Sequence, residues 1–318
     1  MKEQIISIVL YIVIPLFFLV RIWRNYNVDL GEWLSEVTLY GFYIIALFLI
    51  GYWLVFYGSF FRYFLFIAFF AATLKSLRNT KRRFYFKSLT VKQIFLYIIT
   101  FSISSILITK IFLAMNGFFP PPCSVDLEFP LKDGEFYVLQ GGANSVINHH
   151  YNNSAQRYAL DIIQLNRFGL KVNKLNPKKV DDFTIYGSTL YSPCDGVVID
   201  ALDQYPDLTP GFMDPEHPEG NCLVIAKKDS DVLVILAHLM KGSLQFKKGD
   251  IVQRGQIVAK VGNSGNTTEP HLHIHSVLKD TGDFLFEGKG VPMRFKGRFL
   301  IRNDRITSTS NESGVCNR

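Results

Sequence analysis

The strongest constraint on this chain is a set of long uncharged stretches in its first third. No Asp, Glu, Lys or Arg occurs from Ile5 to Val20, from Val37 to Phe61 or from Tyr63 to Leu74, and Val91 to Phe119 is broken only by Lys92 and Lys110. A helix rises about 1.5 Å per residue and the hydrocarbon core of a bilayer is about 30 Å thick, so roughly 20 apolar residues cross it. The third run is short, and Gly58-Ser59-Phe60-Phe61-Arg62 must serve as its turn. We expect four transmembrane α-helices, with three as the alternative.

Charge placement gives these spans a direction. Up to Gly117 there are twelve Lys and Arg against four acids, whereas beyond it 22 bases nearly cancel 23 acids. The net charge of +7 is therefore a property of the apolar part, and no nucleic-acid partner is expected for the remainder. Lys75, Arg78, Lys81, Arg82, Arg83, Lys87 and Lys92 lie in one short stretch without an acid. Such a basic loop stays cytoplasmic, so the helix after it exits and the rest of the chain lies outside. The first run ends in Arg21-Ile22-Trp23-Arg24 with no small-residue cleavage site, which predicts a retained anchor in contact with membrane lipid.

Pro120-Pro121-Pro122 stops the last span and stiffens the chain just beyond it. The expected divisions are a transmembrane region over 1–119, a linker over 120–135, a folded domain over 136–306 and a polar, frayed tail over 307–318. In the folded domain the apolar segments are short, β-branched and separated by turn residues: Ala159–Ile163, Gly196–Ile199, Leu223–Ala226, Val232–Ala237, Ile251–Val252 and Ile257–Val261. They predict a mostly β domain with an antiparallel sheet. The Pro- and acid-rich stretch from Tyr205 to Gly220 is expected as a surface loop able to wall a groove.

Six of seven histidines fall in three places: His149-His150, His238 after Leu236-Ala237, and His271-Leu272-His273-Ile274-His275. Alternate side chains of a strand share a face, so His271, His273 and His275 point one way. Asp161 lies inside the apolar Tyr158–Ile163, where a bare carboxylate costs several kcal/mol and a metal is an obvious partner. Two imidazoles and one carboxylate suit zinc with one position left for water, an arrangement fit for amide hydrolysis. A lone His on a β face is usually structural, and His217 is expected to be solvated.

The run from Phe246 to Asn266, Phe-Lys-Lys-Gly-Asp-Ile-Val-Gln-Arg-Gly-Gln-Ile-Val-Ala-Lys-Val-Gly-Asn-Ser-Gly-Asn, with Pro270-His271-Leu272-His273 shortly after it, resembles the lysostaphin/LytM-type zinc endopeptidases that cut bacterial peptidoglycan bridges. Ser192–Val198 and Gly220–Ile225 resemble the family's central hairpin, and Leu236–Leu239 its catalytic-histidine strand; the likeness spans about Gln156 to Val277. The resemblance implies a bacterial, membrane-anchored metalloendopeptidase with its peptidase domain extracytoplasmic and peptidoglycan or another peptide there as substrate. It also implies Asp161 and His273 as zinc ligands, with His238 and His271 assisting the attacking water or steadying the oxyanion.

The chain departs from the family pattern at Arg157, four residues before Asp161, where the family places its first zinc-binding His. A guanidinium cannot ligate zinc. If Asn153-Ser154 is the tip of a hairpin, His150 lies about 5 Å across from Arg157 and shares its face with Asp161. His150 is then the substitute ligand, His149 the alternative, and Arg157 and His275 neighbours of the ligands rather than ligands themselves. A catalytically silent LytM-like module that binds wall or regulates a hydrolase is the alternative reading. A carrier domain is a weaker one, because Gly249–Gln256 resembles a biotinyl-type turn but no Met-Lys-Met or Asp-Lys-Ala acceptor is present. Cys194 and Cys222 are expected about 15 to 20 Å apart along a hairpin, too far for a disulfide.

Overall fold

The structure, a computed structural model, describes residues 2–24, 30–53, 60–79, 89–174, 176–279 and 288–309. It divides into two compact units, Met1–Met115 and Asn116–Arg318.

The first unit is helical. Helix α1 (Lys2–Ile8) runs through a π-helical turn (Val9–Val13) into α2 (Ile14–Trp23), and is followed by α3 (Leu30–Ile50), α4 (Phe61–Asn79) and α5 (Val91–Asn116). The π turn has a local cause: Pro15 has no N–H to donate, and the Ile14 N–H reaches back five residues to the Val9 carbonyl. Helix α3 begins at Leu30, earlier than the uncharged run, and its Glu36 pairs with Arg21 of α2 at 2.6 Å. Trp33 Nε1 donates to Ser76 Oγ at 2.8 Å, and Phe48 packs edge-on to Tyr63, so α3 and α4 lie antiparallel.

Three helices among the described residues are long and apolar enough to cross a membrane: Ile5–Trp23, Leu30–Ile50 and Val91–Asn116. This corrects the expectation of four. The Tyr63–Leu74 run does form helix, but α4 also contains Arg62, Lys75 and Arg78, too much charge for such a span. Gly58-Ser59 of the expected turn and residues 80–88 of the basic stretch lie outside the described residues.

The second unit contains thirteen described strands: β1 (Val125–Leu127), β2 (Gly134–Gln140), β3 (Leu160–Leu165), β4 (Thr189–Tyr191), β5 (Gly196–Leu202), β6 (Cys222–Lys227), β7 (Val232–Ala237), β8 (Ile251–Val252), β9 (Ile257–Lys260), β10 (Leu272–Leu278), β11 (Met293–Phe295), β12 (Arg298–Phe299) and β13 (Arg305–Ser308). Eight form one sheet in the order β13-β2-β3-β10-β7-β6-β5-β8, antiparallel throughout. The smaller pairings are β4 with β9, and β1-β11-β12.

Two bounds fall differently from the sequence expectation. The supposed linker contains β1, which runs parallel to β11, and Val125, Leu127, Phe129 and Leu131 are buried in the core. At the other end Thr307 and Ser308 of the supposed tail pair with Glu135 and Gly134, and residues 310–318 lie outside the described residues.

The sheet places the site through its alternation. Leu160, Ile162, Val234, Leu236, Leu272 and Ile274 join the main core, so Asp161, His273 and His275 must face the other way. That second face is covered by a smaller apolar cluster, including Leu233, Ile235 and Val277, and by the segments connecting the strands. The sheet's middle is therefore buried on both sides, which gives polar residues on the second face a dry and rigid base.

Candidate metal centre

Register brings the central residues into one row. On β10, His273 is the cross-strand partner of Asp161 on β3 and of Ala237 on β7. His273 Nδ1 lies 2.9 Å from Asp161 Oδ1, and His271 Nε2 lies 3.5 Å from the same oxygen. His271 sits one residue before β10 begins, but stays on the side of His273.

His238 reaches the row through a backbone departure. It comes directly after the last residue of β7 and takes φ +60°, a left-handed conformation uncommon for a residue with a Cβ. Its N–H donates to the Glu219 carbonyl and its own carbonyl accepts from Gly262, which holds the bend. His238 Nδ1–H donates to the Ser264 carbonyl at 2.9 Å, and His271 Nδ1–H donates to the Glu269 carbonyl at 2.9 Å. Each acceptor is a carbonyl, so each Nδ1 carries its ring's proton and Nε2 keeps a lone pair. Gly220 permits this arrangement, because at its φ of +58° a Cβ would collide with the Ser264 backbone.

The remaining ligand candidates come from a turn. Residues His149–Asn152 form a short 3₁₀-helix, and His150 Nε2 lies 3.0 Å from both oxygens of Asp161. The hairpin expected at Asn153-Ser154 is absent from this described segment, where β3 pairs with β2 instead. Asn153 turns the chain locally, its side chain accepting from the Ala155 and Gln156 N–H groups. His150 and Asp161 thus meet by a different route from the one the spacing suggests. His149 is exposed, its ring 3.9 Å from that of His150, and Arg157 places its guanidinium 5.1 Å over the Tyr151 ring.

Electrostatics mark the row as a place that draws positive charge. Burial opposes ionisation of Asp161, yet the imidazoles of His150 and His271 outweigh it and hold its carboxyl well below the usual range. Burial likewise opposes protonation of His271, and the Asp161 carboxylate reverses that and raises its pKa. His273 is pushed down to about 4 by burial, and burial drives His238 and His275 well below the ordinary imidazole value. Inward lone pairs beside a buried carboxylate repel unless a proton or a cation lies among them.

A metal ion meets that need. His149, His150 and Asp161 form one group, and His238, His271 and His273 another, whose donor atoms lie within 4.8 Å of one another. Tetrahedral zinc with bonds of about 2.0–2.2 Å keeps its donors about 3.3–3.6 Å apart, a little more than the 2.9–3.0 Å at which His150 and His273 each stand from Asp161. The residues fit zinc in number and type.

The other singled-out residues divide cleanly. His275 Nδ1 lies 3.1 Å from His273 Nε2, fully buried, and its own Nε2 meets no hydrogen-bond partner among the described residues. His217 pairs with Asp214 at 2.9 Å on the exposed face. The stretch between β5 and β6 is a loop tied to the turn before His271, with Gly211 N–H donating to the Thr268 carbonyl and Asp214 N–H to that of Gly265. Phe212 and Met213 stand exposed on it. Cys194 and Cys222 are free and buried, Cys123 is free and exposed, and Cys316 lies outside the described residues.

Two functional candidates have no obvious sign in the sequence. Asn148 is fully buried; its side chain accepts from the His150 N–H and donates to the Gly142 and Ala159 carbonyls. Gln140, a polar end to the apolar Phe136–Leu139 run, is the cross-strand partner of Asp161 opposite His273.

The chain is 30% identical over 155 residues to the peptidoglycan DD-endopeptidase ShyB of Vibrio cholerae, covering 48% of this chain and 33% of that protein. It is 27% identical over 156 residues to ShyA of the same organism, covering 46% and 31%. It thus spans about a third of the length of these curated relatives. A crystal structure of a zinc-containing peptidase from Vibrio cholerae matches at 24% identity and a TM-score of 0.24, over 38% of this chain and 47% of that one. The family match itself begins after Asp161 and takes in His238, His271 and His273: residues 178–282 match the model of Peptidase family M23.

Proposed function

We propose that this protein is a membrane-anchored zinc endopeptidase that hydrolyses peptide bonds of peptidoglycan cross-bridges outside the cytoplasmic membrane. The observation that carries it is the approach of His150 and His273 to Asp161 at 2.9–3.0 Å, with the lone pairs of His238 and His271 beside them. His150, Asp161 and His273 hold the ion. When bound, zinc supplies a Lewis acid that brings a water's pKa towards ~7 and polarises a carbonyl.

The chain's own groups supply the rest. His238 and His271 have Nδ1 committed to backbone carbonyls, so each can take a proton at Nε2 and later return it to a leaving amine. Neither ring needs to rotate for this, because the backbone sets both tautomers. With Nδ1 of His273 turned to Asp161, its Nε2–H donates to His275 Nδ1, which fixes the ligand's tautomer in turn. The loop bearing Phe212 and Met213 forms one wall for an extended peptide. Three candidate spans and the basic stretch between Lys75 and Lys92 support a multi-pass anchor with the M23 domain on the far side from those charges.

Zinc content of the purified full chain, together with digestion of purified peptidoglycan, tests the proposal. One zinc per chain and wall cleavage, both lost in His150→Ala and in Asp161→Ala, are expected. A zinc-free parent that still binds wall would instead establish the silent module, which the Arg157 departure favours.

A further inference from the structure

We propose that Gln140 and Arg302 form a buried clamp that sets His150 over Asp161, making both positioning residues of the metal centre; this rests on the reading of His150 as a ligand. Neither lies in the stretch that matches the M23 family.

Gln140 extends the central row by one strand. It is the register partner of Asp161 on β2, and residues paired across strands present their side chains on one face. The β2–β3 register shifts between Val138 and Gln140, and such a bulge re-aims the side chain at its end. Gln140 Oε1 then accepts twice, from the His149 backbone N–H at 3.2 Å and from Arg302 Nη2 at 2.5 Å. The amide therefore spans the gap between the sheet row and the turn bearing the first ligand.

Arg302 holds the other side of that amide. Its Nε donates to the Leu139 carbonyl at 3.2 Å and its Nη1 to the Val146 carbonyl at 3.3 Å. One planar fork thus grips the strand end beneath the site, the loop leading into the ligand turn, and the Gln140 side chain between them. Arg302 and Gln140 are 6% and 5% exposed. These contacts fix the strand end, the loop and the amide relative to one another at the base of the ligand turn. The 3₁₀ turn of His149–Asn152 is a single short piece with weak internal bonding, and metal affinity falls when a ligand's supporting hydrogen bonds are removed.

The test uses the full chain and two readouts that need no peptidase activity. Zinc affinity is measured by competition with a chromogenic chelator, and amide hydrogen exchange is followed over 146–153 and, as a control, over β7 in the metal-free protein. Gln140→Met is expected to weaken zinc about 10- to 100-fold and to speed exchange at 146–153 while β7 stays protected. Gln140→Glu keeps an acceptor for both donors and should stay within about threefold of the parent. Arg302→Met should match Gln140→Met; if it fails to fold, the Gln140 pair alone decides. A folded Gln140→Met that holds zinc as tightly as the parent, while His150→Ala loses it, overturns the clamp and leaves the ligand assignment standing. Zinc retained in His150→Ala sinks the ligand assignment itself.

Discussion

The proposed metal centre has two halves built in different ways. His238, His271 and His273 stand on or directly beside strands at the middle of the eight-stranded sheet, inside the M23 match. His150 stands on a four-residue turn before that match, held to the sheet by side chains. A strand delivers a side chain through its register, and the core beneath pays for the precision. A turn has no register, so each supporting contact must be supplied separately. The strand half is therefore expected to tolerate change around it better than the turn half does.

The largest effect should come from the residue the two halves share. Asp161→Asn removes the charge facing His150, His271 and His273, and is expected to abolish zinc binding and lower kcat/KM by on the order of 10⁴ or more, measured on purified peptidoglycan. A variant that still binds one zinc would remove the carboxylate from the centre.

Next come the two proton-handling candidates. His238→Ala and His271→Ala should each retain zinc while losing roughly 10²- to 10⁴-fold in kcat. Loss of zinc in either variant would move that histidine into the ligand set and blur the division of roles.

The support beneath the strand half gives a third measure. Ile274, whose side chain lies in the main core beside His273, is fully buried, and Ile274→Ala should cost about 2–5 kcal/mol in denaturant unfolding. If the strand half is as robust as proposed, the variant still binds zinc with nearly the parent's affinity at a temperature where it is folded. A collapse of affinity at full folding would show that the sheet is no firmer a base than the turn.

The smallest effects are expected away from the row. Arg157→Ala removes a stacking contact with Tyr151 and should change zinc affinity by less than about threefold, since no donor is lost. A large loss would give Arg157 the positioning role denied to it here. Alkylation should label Cys123 and spare Cys194 and Cys222 in the native chain, because burial pushes both of these thiols up to about 12.

The same contrast explains how much of the molecule is legible in its sequence. Val232–Ala237 and His271–His275 can be read because a strand has a two-residue period, and the burial of Leu272 and Ile274 in the core fixes where His273 and His275 face. Asp161 stands out as a lone charge in an apolar segment. The spacing brings His150 near Asp161 through a hairpin that does not form; the proximity is right, but Asn153 and the Asn148 cap make a 3₁₀ turn there. Gln140 and Arg302 are 162 residues apart in sequence, and nothing local to either reveals the other. The short strands β1 and β13 are hidden for a similar reason, since each depends on a distant partner. In the helical part, apolarity alone favours a fourth span, and the charges that flank Tyr63–Leu74 decide against counting it.

The left-handed backbone at His238 sets a limit on how this domain can be improved. Glycine would relax that bend by about 1 kcal/mol, but His238→Gly also deletes a buried ring and its hydrogen bond to the Ser264 carbonyl, a larger loss. The strain at 238 thus cannot be removed by the usual glycine substitution, and any gain in heat resistance must be sought elsewhere in the domain.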